Sequence, residues 1–140
     1  MTLFRWLPLL WIASLAGAAE PDSYRMLDSL FDRLTPPDPS LAEELHSTVN
    51  PRTPLPDEAT RQKLDSWLVA NKVVRERASL LLTMGPFRLP PYAPDTVSKR
   101  LMGLRTLMRL NIVSARLAAA QGRHDEAVRD LLETERLGQI

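Results

Sequence analysis

Apolar residues return every three to four positions in five stretches of the chain, and prolines stand between most of those stretches. Residues 22–34, DSYRMLDSLFDRL, set Met26, Leu27, Leu30, Phe31 and Leu34 on one stripe, the spacing of an amphipathic helix. Asp22 or Ser23 is its expected N-cap, and TPPDPS ends it. A short second helix is expected from Ser40 to about Ser47, with Glu43 three residues after a Ser40 cap as in a capping box. VNPRTPLPDE follows as a stiff linker.

The longest periodic stretch predicts one helix from Asp57 to about Met84, with Leu64, Trp67, Leu68, Asn71, Val74, Ala78, Leu81 and Leu82 on one face and Gly85 and Pro86 as the stop. A fourth helix is expected from about Thr96 to Gln121, carrying Leu101, Leu104, Leu107, Met108, Leu110 and Leu117. Gly122 then supplies a left-handed turn. A fifth helix follows, with Ala127, Val128, Leu131 and Leu132 as its apolar residues. No run alternates with period two, so the class is all-α, built from antiparallel helical hairpins with proline-rich connections.

The first residues change the picture of where the chain works. Arg5 precedes an apolar run from Trp6 to Leu15 and then the small residues Ala16, Gly17, Ala18 and Ala19, the layout of a secretory signal. The expected organisation is a signal peptide over 1–19, short helices and a proline-rich linker over 20–56, and a helical domain over 57–140. Cleavage after Ala18 or Ala19 would leave a periplasmic or secreted protein. The alternative is an uncleaved anchor over Leu3–Ala19 with Arg5 on the inner side, serving a structural envelope protein.

Composition removes several chemistries. The chain has no cysteine, which excludes disulfides, a thiol nucleophile, thiolate metal sites and a lipoprotein anchor. Without residues 1–19 it loses Arg5 and no acid, so its formal net charge of +1 falls to zero. A neutral chain has no bulk footprint for nucleic acid or an anionic membrane. The five glycines form neither a phosphate loop nor a dinucleotide fingerprint, and neither His46 nor His124 sits in a nucleophile motif. Glu43 and His46 have the Glu-x-x-His spacing of di-iron bundles, but such sites use that pair twice, and Gln121 stands three residues before His124. The expectation is no enzyme activity, no metal and no cofactor, with a ligand site of Glu43, His46 and Asn71 as the minor alternative.

Two features ask for a structural role. MGPFRLPPYAP, residues 84–94, has the Arg-x-x-Pro-x-x-Pro spacing of a polyproline ligand in Arg88, Pro91 and Pro94, yet it reads better as a strut that lays Phe87 and Tyr92 on the helices it joins. Asn71, alone among apolar neighbours, is expected to fix helix register, as one polar core residue can.

LNIVSARLAAAQGRHDEAVRDLLETERLG resembles a tetratricopeptide-type helix pair over about residues 97–138, through small Ala115, the Gly122 turn, Ala127 and Leu131. A helical wheel of the pair sets Ala115 and Ala119 facing Ala127 and Leu131. Over about 67–140 the order of WLVANKVVRERASLL, FRLP and the hairpin resembles a group of uncharacterised exported bacterial helical proteins, which implies the helical fold and a further helix beyond Gly138 and carries over no known activity. The remaining pattern is Arg105, Arg109, Arg116 and Arg123, spaced along one face with no acid between Asp95 and Asp125. Arginine grips carboxylates in a forked geometry. These four are the candidate partner-binding residues, opposite in side to the acidic row Glu126, Asp130 and Glu133, and the expected partner is another envelope or secreted protein.

Overall fold

Short helices divided by proline need one element long enough to pack against all of them, and the fourth periodic stretch supplies it. In a computed structural model of the chain, residues 23–84 and 94–140 are described; the segment 1–19 and most of the strut, with Phe87 and Tyr92, lie outside them. The elements are α1 (Ser23–Phe31), a 3₁₀ turn (Pro39–Leu41), α2 (Ala42–Val49), α3 (Glu58–Ala70), α4 (Lys72–Thr83), α5 (Pro94–Ala120) and α6 (His124–Gly138). The protein is all-α. Helix α5 touches every other helix, and its Leu107, Leu110, Val113 and Leu117 join Leu27, Leu30 and Phe31 of α1, Leu45 of α2, Leu64 and Trp67 of α3, Val74, Ala78 and Leu81 of α4 and Leu137 of α6 in one core.

Helix starts follow local chemistry. Asp57 caps α3, its Oδ1 accepting the Thr60 N–H at 2.8 Å, and these hydrogen bonds hold its carboxyl below the usual range. At the 3₁₀ turn the cap is Asp38 rather than the expected Ser40. Asp38 Oδ1 accepts the Ser40 N–H at 2.7 Å, and Pro39 between them has no N–H to satisfy.

The expected single helix from Asp57 to Met84 is broken at Asn71, which separates α3 from α4. Its Nδ2 donates to the Trp67 carbonyl at 3.0 Å, the same carbonyl that its own backbone N–H approaches at 3.3 Å. A side chain that competes for the carbonyl four residues back loosens the helical ladder there.

Helix α1 meets α5 at Gly103. A Cβ on Gly103 would overlap the Phe31 ring, so the missing side chain is what lets the two helices approach. Helix α5 ends in a Schellman turn: the Arg123 N–H reaches Ala118 O at 2.9 Å and the Gly122 N–H reaches Ala119 O at 3.1 Å. Gly122 takes φ 77°, the left-handed conformation that this turn requires. Helix α6 then runs back along α5, with Ala127 packed on Ala115 and Ala118. Ala118 stands where the helical wheel put Ala119, which is exposed.

The rotation of α6 corrects the expected apolar face. Val128, Leu131 and Leu132 are 57%, 52% and 51% exposed, while Asp130 and Glu133 are 2% and 9% exposed. Leu101 of α5 and Met26 of α1 also stand outside the core. Among the described residues no helix is long and apolar enough to cross a membrane.

Candidate functional site

Buried carboxylates need partners, and those of α6 find them on α4. Arg75 donates through Nη2 to Asp130 Oδ2 at 3.1 Å and through Nε to Asn111 Oδ1 at 3.1 Å, so one guanidinium ties α4, α5 and α6 together. One turn further along, Ser79 Oγ donates to Glu133 Oε1 at 2.5 Å. This polar seam floors a cleft of about 560 Å³ between the α3–α4 and α5–α6 pairs, rimmed by Lys72, Glu76, Arg123 and Arg129. Its rim charges are largely paired among themselves: Lys72 lies 3.9 Å from Glu76, and Arg123 bonds Glu126. The seam is a structural joint of mutually bonded groups.

The four arginines of the candidate site do not form one surface. Arg116 turns to the end of α2, where its guanidinium donates to the carbonyls of Thr48, Asn50 (2.9 Å) and Thr53. A cation at a helix C-terminus satisfies carbonyls that the helix leaves unbonded and meets the negative end of its dipole. Arg123, in the turn, holds Gln121 and Glu126. Arg105 and Arg109 are left on the outward side of α5, with no hydrogen bond or ion pair among the described residues. Burial, and then the charge of Arg105 one turn away, lower the pKa of Arg109.

Other cations of α5 are engaged near its start: Lys99 pairs with Asp32, and Arg100 with Asp28 at 2.7 Å. The unpaired ones therefore coincide with the stretch of α5 that faces solvent. Leu101 and Met102, 61% and 63% exposed, lie on the same face. The acidic row meets α4 through Asp130 and Glu133, and only Glu126 bonds one of the four arginines. Glu43 and His46 sit exposed on α2. Asn71 is fully buried, with Oδ1 accepting the Thr35 N–H at 2.8 Å and Nδ2 donating to Thr35 O at 3.1 Å.

The exposed row of α6 was missed by reading its apolar residues as core. The signal that could have separated the two faces was present: Ala127, Asp130, Thr134 and Leu137 recur at helical spacing as consistently as Val128, Leu131, Leu132 and Glu135 do. No family model, no curated protein and no solved structure matches the chain.

Proposed function

We propose that the chain is an exported, non-enzymatic helical module for protein interaction or assembly, which works by holding another protein surface against the outer side of its α5–α6 pair. The observation that carries this reading is the orientation of α6, which turns Asp130 and Glu133 inward and leaves Val128, Leu131 and Leu132 exposed. Fully burying an aliphatic side chain of this size is worth roughly 1.5–3 kcal/mol, so a row of three in water is a surface with much to gain from a partner. The unpaired Arg105 and Arg109 add a charged edge on the neighbouring helix. Export rests on the secretory layout of residues 1–19, and the expected partner is an envelope or secreted protein. The likeness of residues 97–138 to a tetratricopeptide helix pair supports the same role.

A photo-crosslinking residue placed at Leu131, compared with one at the exposed Lys63 of α3, tests the reading in the intact cell. Crosslinks from position 131 alone are the expected result, and mass spectrometry of the purified protein should find the N-terminus at residue 19 or 20. Equal yields from both positions would overturn the assignment of the surface.

A further inference from the structure

Helices α5 and α6 form a layer. On one side α5 is covered by α1, α2, α3 and α4, and α6 by α4; the other side presents Arg105 and Arg109 from α5 and Val128, Leu131, Leu132 and Glu135 from α6. Turning each helix in steps of 100° per residue from its buried residues places both sets on this same open side. Glu135, like Arg105 and Arg109, has no polar partner among the described residues. The open side thus carries two arginines on one helix and, on the other, one carboxylate beside an apolar centre.

The heights of these groups are fixed by the packing of the pair. Ala127 packs on Ala115 and Ala118, and a Cβ on Gly138 would stand 3.9 Å from Met108 Cε. The same antiparallel register sets Glu135 level with Arg109 and Leu132 level with Ile112. A twofold axis parallel to the helices and midway between them leaves every height unchanged and lays α5 of one copy over α6 of the other. A twofold axis across the helices would instead lay α5 on α5, arginine facing arginine.

We propose that the open side of the α5–α6 layer binds a second copy of this chain about the twofold axis parallel to the helices, with Arg109 of each copy facing Glu135 of the other and Arg105 one turn away. This rests on the reading of that side as an interaction surface and names its occupant. The repulsion between Arg105 and Arg109 is relieved by a carboxylate set against Arg109, and the contact occurs twice by symmetry. Leu131 lies near the axis and meets its own copy, with Val128 and Leu132 beside it. The fifteen residues of α6 make a face roughly 22 Å long and, at about 10 Å per helix, roughly 20 Å wide; this is about 440 Å² on each copy and about 900 Å² in all, the size of a small, reversible interface.

Sedimentation velocity over a concentration series of the mature protein tests this, with three variants at matched helix content by circular dichroism. The parent should pass from monomer to dimer. Arg109→Glu and Glu135→Arg each place like charges across the interface and should weaken the dimer at least about tenfold in Kd. An equimolar mixture of these two variants should dimerise again, because each copy then offers the charge that the other needs; the double variant should dimerise alone. A parent that stays monomeric at the highest concentration overturns the proposal, as does a dimer indifferent to both single changes or a mixture that fails to recover. If the single changes shift the melting temperature of a monomer, the two residues pair within one chain, which also overturns it. A monomer that still crosslinks to another protein through Leu131 would refute the self-pairing alone and leave the interaction module standing.

Discussion

Asn71 binds both the N–H and the carbonyl of Thr35, a residue 36 positions away, at 2.8 and 3.1 Å. This reciprocal pair moors the TPPDPS linker to the point where α3 gives way to α4, and Trp67 Nε1 adds a third bond to the same Thr35 carbonyl at 2.9 Å. The amide therefore clamps the linker at the break between the two helices. Asn71→Ala is expected to cost about 2–3 kcal/mol, because a part-buried N–H loses its acceptor. Asn71→Asp should cost at least as much, since a carboxylate cannot donate to Thr35 O. Chemical denaturation of both variants checks the order; an Asp variant as stable as the parent would remove the clamp.

Gly103 offers a test of the α1–α5 contact. In an exposed helix Gly→Ala gains about 1 kcal/mol. Here the added Cβ would overlap the Phe31 ring, so Gly103→Ala should destabilise instead. Overpacking of this kind costs about 1–3 kcal/mol. The pair Gly103→Ala with Phe31→Leu should be less destabilised than the sum of its single changes, measured by a double-mutant cycle.

At Gly122 the side-chain space is open, with no atom within 4 Å of an added Cβ. The cost of substitution is therefore one of backbone conformation alone. Gly122→Val should lose about 1–2 kcal/mol, whereas Gly122→Asn should lose less, because Asn tolerates the left-handed region. Equal melting temperatures for the two variants would argue against the Schellman turn.

Arg116 and Arg105 should separate cleanly. Arg116→Gln removes charge-assisted bonds to the carbonyls that end α2 and should cost about 1.5–3 kcal/mol. Arg105→Gln, on an exposed position, should stay within about 0.5 kcal/mol. Thermal denaturation at matched ionic strength distinguishes them. A stability loss at Arg105 alone would reverse their roles.

Much of the fold was legible because it depends on local periodicity. The stripe of Leu27, Leu30 and Phe31 identified α1, the spacing of Leu107, Leu110 and Leu117 identified the central helix, and Gly122 marked its end; each follows from side chains that helical geometry brings together within a few turns. Pairing across the chain was not legible. Nothing near Arg116 says that its acceptors are carbonyls more than sixty residues away, and nothing near Gly103 says that Phe31 lies against it.

Helix α6 shows the division most sharply. Its sequence determined that it is a helix and that it has two faces, one with Val128, Leu131 and Leu132 and one with Ala127, Asp130, Glu133 and Leu137. Hydrophobicity by itself favours burial of the first. Tertiary structure chose the second, because Arg75 and Ser79 of α4 stand ready to bond Asp130 and Glu133, and because small Ala127 fits against Ala115 and Ala118 where a leucine would not. A carboxylate can be buried only where a partner offsets its desolvation, and that partner lies some 55 residues back in the chain, beyond the reach of any local pattern.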